Sequence, residues 1–315
     1  NEYCAGSGHT YLPSDILIDE CSRLLDVPKD MLEDACVSLV LNKEIMMENN
    51  DDCTAIYLMP FYYSEVGVSK RMLELVSAEV QDLDVDIDSE VKCYEEENDI
   101  ALALGQKEAI RKAVECGVVV ITGGPGTGKT TIIKCIINIF ENKGMKVALA
   151  APTGRAAKRM TEATGREAKT IHRLLELGFT EDEGNMMFLK DDSNPLEADA
   201  VIIDEASMID IILMNNLVKA IVPGTRLVIV GDVDQLPSVG PGNVLRDLIQ
   251  SGIIPVVYLN EIFRQSSESL ITVNAHRIND GELPYLNEKE SDFFFIDSKS
   301  QEETLNIILD LVKRR

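Results

Sequence analysis

The sequence predicts an α/β protein in which helices cover both faces of a parallel β-sheet, preceded by a small, mainly helical domain. After about residue 100, short apolar runs alternate with helical stretches, a pattern typical of a parallel sheet. Before that point, leucines recur at helical spacing. A chain of 315 residues has room for about two domains, and its 45% hydrophobic content is enough for a sizeable core.

The predicted elements of the sheet domain follow one another in strict alternation. We expect four strands, at 118–122, 147–151, 201–204 and 227–231. The helices expected between and beside them span 129–142, 155–164 and 210–221.

The front part of the chain has a different pattern. Residues 12–45 are predicted to be helices broken at Pro28, followed by a turn at 49–52 and a strand at 54–58. Three helices and then a hairpin is the order of a winged-helix module, so residues 1–64 are interpreted as a winged-helix-like region. A generic helical cap with a hairpin is an equal alternative. Residues 65–100 are expected to form a helix at 66–80 and then an acidic linker.

Charge is distributed unevenly along the chain, whose net charge is −24. Residues 1–100 contain 24 acidic and six basic residues, whereas residues 101–315 contain 30 acidic and 24 basic ones. Runs of acidic residues are usually solvated linkers or surfaces. The front part is therefore a poor candidate for strong nonspecific binding to nucleic acid.

Cysteine, histidine and hydropathy patterns exclude several classes of protein. The seven cysteines form no CxxC pair, and the three histidines lack metal-ligand spacing. No apolar run reaches the ~18 residues of a membrane span, and no signal peptide opens the chain. We therefore expect a cytoplasmic protein with reduced thiols and no membrane partner. The chain begins with Asn1, which suggests a segment of something longer.

A phosphate-binding loop is the most specific motif. Residues 123–130 match GxxxxGK[ST] completely, between the apolar run 118–121 and a helical stretch. In that context backbone N–H groups and the helix N-terminus bind phosphates. ATP and Mg²⁺ are the expected cofactors. The residues expected to contact the nucleotide are Gly124, Pro125, Gly126, Thr127, Gly128, Lys129, Thr130 and Thr131.

Two adjacent carboxylates supply the chemistry that such a loop needs. Asp204 and Glu205 end the apolar run 201–203. We expect Lys129 to contact the β- and γ-phosphates, and Thr130 and Asp204 to hold Mg²⁺. Glu205 is the candidate base for the attacking water. A strand ending in solvated acids is the alternative, and the preceding phosphate loop weighs against it.

Three further segments, at 151–159, 231–239 and 259–265, separate this chain from other phosphate-loop proteins. The stretch 151–176 is basic within an acidic protein, which suits contact with a phosphate backbone; a solvated helix face is the alternative. Its basic residues are Arg155, Lys158, Arg159, Arg166, Lys169 and Arg173.

With these motifs in this order, residues 106–280 resemble the superfamily-one helicases, and within them the RecD/TraA group, the exodeoxyribonuclease V alpha-subunit type. The resemblance implies a first RecA-like motor domain at 101–285 that moves 5′-to-3′ on single-stranded DNA. It implies that Gln106 contacts adenine, that Gln235 contacts the γ-phosphate, and that Arg264 is an arginine finger. The implied DNA-binding residues are Thr153, Arg155, Lys158, Thr170, His172 and Arg173.

Two segments depart from the alternation. In the family a small insertion, here about 177–196, can form a strand-splitting hairpin; residues 179–188 are the candidate, and a plain surface loop is the alternative. Residues 286–315 resemble the start of a second RecA-like domain, with a strand at 292–297 and a helix from 302. We expect the missing second motor domain elsewhere in the same full-length chain. The segment alone should then hydrolyse ATP weakly and not unwind DNA.

Other functions are alternatives to an ATP-driven DNA helicase. A nucleotide-switched DNA-binding or scaffolding module would not need Glu205. A phosphate-loop kinase for a small molecule is disfavoured by Arg264 and by segment 231–239. A nuclease is disfavoured because the sequence has no metal-binding carboxylate cluster apart from the ATP site.

Overall fold

A computed structural model describes residues 8–49, 53–179, 186–261, 269–286 and 292–314. The chain divides into two compact units. The first contains residues 1–124 and 128–261, and the second contains 125–127 and 262–315. No helix among the described residues combines the length and the apolarity needed to cross a bilayer.

The front of the first unit is a three-stranded antiparallel sheet with two helices. Its elements are β1 Tyr11–Pro13, α1 Ser14–Leu25, α2 Lys29–Leu41, β2 Ile45–Asn49 and β3 Thr54–Leu58. The sheet order is β1-β3-β2. The β2–β3 hairpin agrees with the sequence, but the described residues contain two helices there, not three. Residues 11–13 pair with β3 through Tyr11 and Tyr57 and therefore form a strand.

The helix expected at 66–80 is present with earlier bounds, as α3 Met59–Ser77. The acidic segment expected to be a linker contains a second helix, α4 Ile87–Asn98. On α3, Arg71 donates to the carbonyl oxygens of Val218 and Lys219, each at 3.2 Å. The expected linker is half helical: Asp86 accepts a hydrogen bond from the Ser89 N–H at the start of α4. This helix exists because Val91 and Tyr94 bury their side chains, while Asp88, Glu96 and Glu97 face solvent and Glu95 pairs with Lys107.

The sheet domain then follows in alternation. Its first elements are α5 Leu104–Glu115, β4 Val118–Gly123, α6 Lys129–Asn142, β5 Val147–Ala151, α7 Gly154–Thr164, β6 Ala168–Thr170, α8 Ile171–Leu174, β7 Leu177–Phe179 and β8 Met186–Phe188. The later elements are β9 Ala200–Ile203, a 3₁₀ turn Ala206–Met208, α9 Ile211–Lys219, β10 Arg226–Gly231, α10 Val244–Gln250 and β11 Val256–Leu259.

Six of these strands form one parallel sheet in the order β11-β4-β10-β9-β5-β6. Alternate residues of β4 face opposite sides: Val118 and Val120 belong to one buried cluster, Val119 and Ile121 to the other. Helices α3, α9 and α10 contribute to the first cluster, and α4, α5 and α6 to the second. The predicted α/β fold with helices on both faces is confirmed. Because all strands are parallel, their carboxyl ends share one edge.

The second unit contains α11 Leu270–Asn279 and α12 Gln301–Lys313. Asn274 is buried and fixes the backbone of Tyr285 through two hydrogen bonds. Its Nδ2 donates to the Tyr285 carbonyl oxygen, and its Oδ1 accepts from the Tyr285 N–H. The helix expected from 302 is present. The strand expected at 292–297 is wrong, because residues 292–300 form no strand. An apolar run becomes a strand only when a neighbouring strand pairs with it.

Candidate functional site

The carboxyl edge of the sheet brings together residues that are far apart in sequence. Strands β4, β10 and β9 lie side by side. Gly123 ends β4, Asp232 follows β10, and Asp204 follows β9. Strands β5 and β6 continue the same edge and end at Ala151 and Thr170, which are opposite each other in register. The predicted catalytic acids Asp204 and Glu205 and the predicted DNA residues Thr153 and Thr170 therefore lie at or just after the ends of neighbouring strands of one edge.

The loop between β4 and α6 has the backbone that a phosphate loop requires. Gly126 and Gly128 have φ values of 82° and 83°, which glycine adopts without the steric cost of a side chain. Lys129 begins α6, and its Nζ donates to the Gly123 and Gly124 oxygens, the latter at 3.0 Å. The ammonium group is thus held over the loop.

The Lys129 ammonium group is within electrostatic range of three carboxylates. Burial lowers the pKa of Lys129, and the negative charges of Asp232, Asp204 and Glu205 oppose that shift. These three acids come from two strands other than β4. A half-buried cation within electrostatic range of several carboxylates is typical of functional sites, because such groups perturb one another's pKa.

Asp204 has the surroundings of a ligand for a divalent cation. Burial is the main cause that raises the pKa of the Asp204 carboxyl. Its Oδ1 accepts a hydrogen bond of 2.9 Å from the Glu205 N–H. A small cavity of about 60 Å³ lies between this residue, Thr130 and helix α7. A desolvated carboxylate beside a hydroxyl fits Mg²⁺, which favours one or two protein oxygens together with substrate phosphates.

The described part of the chain contains no metal site formed by protein ligands alone. Within the described ranges, no three His, Cys, Asp or Glu residues cluster in a way that could hold a metal ion. Magnesium in nucleotide sites rarely needs such a cage, because phosphate oxygens and water complete its octahedron. The residues present therefore fit a nucleotide-bound Mg²⁺ held by Thr130 and Asp204.

Glu205 is held in an unusual backbone conformation. Its φ is 55°, in the left-handed region that residues with a side chain seldom adopt. The turn that follows begins at Ala206. The Glu205 carboxylate oxygen Oε1 lies 3.5 Å from Nη1 of Arg159 on α7. This turn places the Glu205 carboxylate between the end of β9 and helix α7.

Asp232 is a site residue that the sequence analysis missed. It is buried, and its Oδ2 accepts a 3.1 Å hydrogen bond from Gln235 Nε2. Its Oδ1 accepts from the Asp234 N–H at 3.1 Å. The carboxylate therefore organises the loop that carries Gln235. The signal in the sequence is the Gly-Asp pair at 231–232, directly after an apolar strand and three residues before Gln235.

Gly231 lets the end of β10, which is followed by Asp232, pack closely against the turn after Glu205. A Cβ at this position would lie 2.8 Å from Leu245 Cδ2 and 3.3 Å from the backbone nitrogens of Ala206 and Ser207. Only glycine leaves room for the end of β10 beside the turn that follows Glu205. The close approach joins the two acidic loops of the site.

Gln106 has a local contact in the structure. It is buried, and its Oε1 accepts a 3.0 Å hydrogen bond from the Ala103 N–H at the start of α5. This contact stabilises the N-terminus of the helix. Contact with adenine stays a prediction.

The predicted DNA residues begin two helices at the other half of the edge. Thr153 Oγ1 accepts from the Ala156 N–H at 3.2 Å and caps α7. Thr170 Oγ1 accepts from the Arg173 N–H at 3.2 Å and caps α8. Arg155 and Lys158 are exposed on α7. Both threonines are therefore next to exposed basic side chains at the ends of adjacent strands.

The insertion lies next to this surface. Strands β7 and β8 pair antiparallel, with Leu177 opposite Phe188, so a hairpin forms there and not a plain loop. The exposed His172 ring is 5.7 Å from the Phe188 ring. The expected turn at 183–185 lies outside the described residues. Arg264 also lies outside them, within 262–268.

The chain is similar to known proteins in this same region. Residues 106–241 match the model of an AAA domain. Over 172 residues the chain is 42% identical to the ATP-dependent RecD2 DNA helicase of Deinococcus radiodurans, covering 55% of this chain and 23% of that protein. It is 34% identical over 233 residues to the RecBCD enzyme subunit RecD of Mycobacterium tuberculosis, covering 65% and 40% respectively.

The relatives are longer than this chain, which spans 23% to 40% of their lengths. Among solved structures, the Pif1 helicase from Candida albicans aligns with a TM-score of 0.43 at 25% identity. That alignment covers 59% of this chain and 45% of that structure.

Proposed function

We propose that this chain, a relative of the RecD-type superfamily-one DNA helicases, contains an ATP-hydrolysing motor domain that acts on single-stranded DNA. The observation that carries the proposal is that Lys129, at the start of α6, lies within electrostatic range of Asp204, Glu205 and Asp232, which follow β9 and β10. The same edge continues into exposed basic residues at β5 and β6.

The chemistry we propose assigns one task to each side chain. Lys129 binds the β- and γ-phosphates, and Thr130 and Asp204 hold Mg²⁺. Held there, the ion would supply positive charge that offsets the charge developing on the phosphates. Glu205 orients the attacking water and takes its proton. Gln235, positioned by Asp232, contacts the γ-phosphate.

Further assignments rest on the family resemblance and belong to the same proposal. Gln106 contacts adenine, and Arg264 acts as an arginine finger. Movement runs 5′-to-3′. Unwinding requires a second RecA-like domain, because translocation needs two gripping surfaces whose separation changes with nucleotide state.

Single-stranded DNA is proposed to lie across the starts of α7 and α8. Thr153 and Thr170 sit at the ends of neighbouring strands. Exposed Arg155, Lys158 and Arg173 supply positive charge for phosphates, the main source of affinity for a strand bound without sequence preference. His172 adds a ring on which a base can stack.

The test measures binding of labelled oligothymidine by fluorescence anisotropy at several salt concentrations. The charge-reversal pair Arg155→Glu with Lys158→Glu should weaken binding and flatten the salt dependence. For single strands the slope should fall by roughly 0.7 for each DNA phosphate that the protein no longer neutralises. The matched control is Arg111→Glu with Lys112→Glu on α5, which removes the same charge elsewhere. Equal losses in both pairs would show that only net charge matters.

A nucleotide-switched DNA-binding module without turnover is the second candidate function. It would need the phosphate loop and the basic surface. It would not need a second carboxylate beside the proposed magnesium ligand Asp204, where Glu205 lies. That feature favours a hydrolytic enzyme over a switch.

A further inference from the structure

We propose that Arg159 is a positioning residue that restrains Glu205 until single-stranded DNA occupies α7. The inference rests on the proposed function for its DNA step, because α7 carries both Arg159 and the proposed strand-binding side chains. The restraint itself concerns only Arg159 and Glu205 and is independent of what binds α7.

The geometry of the pair suits a restraint that can be released. Arg159 Nη1 lies 3.5 Å from Glu205 Oε1. The arginine side chain is 71% exposed, whereas the glutamate side chain is only 21% exposed. Solvent screens such a half-exposed pair, so it holds weakly. A competing anion can therefore draw the guanidinium away without disturbing the core.

Arg159 is also part of the electrostatic environment of the phosphate site. Burial is the main cause that lowers the pKa of Lys129 and raises that of Asp204, and the Arg159 cation acts on both groups. The residue lines the small cavity beside Thr130 and Asp204. Its charge is therefore positioned to influence the catalytic carboxylate.

Helix α7 connects this arginine to the strand-binding edge. It starts at the Thr153 cap, and Arg159 follows Arg155 by about one helical turn. Ala156 and Met160 are buried, so the helix is anchored on its inner side. Lys158 lies 3.8 Å from Glu162. A DNA phosphate attracted by Arg155 and Lys158 would compete with Glu205 for the neighbouring guanidinium.

The consequence concerns the timing of hydrolysis. A carboxylate oxygen that faces the Arg159 guanidinium is engaged on the α7 side and is not free to orient the attacking water. When the guanidinium turns to a DNA phosphate, Glu205 becomes free to orient the water. The pair would thus keep ATP turnover low in the absence of DNA, using residues within one domain.

Other ion pairs show why this one is distinctive. Arg111 and Asp88 approach more closely, at 2.7 Å, but neither belongs to the candidate site. Lys158 and Glu162 lie on α7 alone. Among the ion pairs of the described ranges, the Arg159–Glu205 pair joins α7 to a carboxylate of the phosphate site.

The experiment measures single-turnover ATP hydrolysis by the whole chain, without and with saturating oligothymidine. The variants are Arg159→Gln, Arg159→Lys and the control Arg111→Gln, which breaks the Arg111–Asp88 ion pair outside the candidate site. Arg159→Gln should raise the DNA-free rate roughly two- to fivefold, the effect of losing a half-exposed ion pair. It should also reduce stimulation by DNA to near one. Arg159→Lys keeps the cation and should behave like the wild type.

The outcomes separate the restraint from the wider proposal. An unchanged or lower DNA-free rate in Arg159→Gln would overturn the restraint, and so would an equal rise in Arg159→Lys. Rates too slow to measure in both wild type and Arg159→Gln also count against it. If the wild type binds no single-stranded DNA in the anisotropy assay, the strand-binding function fails, while the DNA-free comparison still decides the role of Arg159.

Discussion

The two halves of the sheet edge are built differently. At the ends of β9 and β10, side chains are held by local hydrogen bonds: the buried Asp232 accepts from Gln235, and the partly buried Asp204 accepts from the Glu205 N–H. At the ends of β5 and β6, the threonine hydroxyls cap helices while Arg155, Lys158 and Arg173 extend into solvent. One half is preorganised, and the other is exposed and adaptable.

The difference follows from the chemistry of the two proposed ligands. Charge that develops during phosphoryl transfer is stabilised best by groups that are already in place, because moving them during the reaction costs energy. A single strand of variable sequence is bound mainly through its phosphates, for which exposed cations suffice. Substitutions in the first half should therefore have large, residue-specific effects, and those in the second half smaller effects that depend on salt.

The largest effect is expected for Glu205→Gln. The side chains are nearly isosteric, so nucleotide affinity should be preserved. Loss of a general base should lower the hydrolysis rate by ~10²–10⁴-fold. The measurement is single-turnover hydrolysis beside titration with a fluorescent ATP analogue. Unchanged turnover would remove Glu205 from the catalytic role and revive the switch without hydrolysis.

The next largest effect is expected for Lys129→Ala. The variant loses charge-assisted hydrogen bonds to phosphates, which should weaken ATP binding roughly 100-fold. The control is Lys134→Ala, an exposed lysine on the same helix α6. Calorimetry with Mg²⁺-ATP checks both. Equal affinities for wild type and Lys129→Ala would refute the phosphate-loop assignment.

A smaller effect is expected for Asp232→Asn. The amide replaces one of two acceptor oxygens with a donor, which conflicts with the donors of Asp234 and Gln235. Turnover should fall roughly tenfold or more, with little change in ATP affinity, because Gln235 loses its fixed position. Asp234→Asn is the control, since that side chain is exposed. Steady-state kinetics distinguish the two, and parallel losses in both variants would contradict the assignment.

Arg226→Met should leave ATP binding unchanged and lower only the stability of the fold. The buried guanidinium donates to the Val114 oxygen at 3.0 Å and to the Gln81 oxygen, and it lies 5.9 Å from the Phe140 ring centre. Leaving those carbonyls unpaired should cost about 1–3 kcal/mol of unfolding free energy. Urea denaturation measures the loss, while ATP affinity at low denaturant should be unchanged. A variant as stable as the wild type would show that the guanidinium is dispensable.

Sequence patterns predicted the phosphate half of the molecule well. The helix expected at 129–142 has those bounds, and the strand expected at 147–151 does too. These predictions are confirmed because a buried parallel strand needs a continuous apolar run, and a phosphate loop needs glycines at fixed spacing. The resemblance to RecD-type helicases, drawn from the same motifs, is confirmed by the relatives.

Other features depended on tertiary contacts that no local pattern shows. The acidic composition of 81–100 concealed α4, whose stability comes from burying Val91 and Tyr94 against other helices. The short strand β6 forms by pairing with β5. The role of Asp232 requires knowing that β10 lies beside β4. The prediction of a strand at 292–297 was wrong because an apolar run forms a strand only when another strand pairs with it.

Hydrogen exchange measured by mass spectrometry tests the division of the edge most directly. The whole chain is compared alone, with a non-hydrolysable ATP analogue and Mg²⁺, and with oligothymidine. We predict that the nucleotide protects backbone amides at 123–132 and that DNA protects those at 153–174. Protection of residues 11–58 by DNA, with no change at 153–174, would contradict the placement of the strand beside the phosphate site.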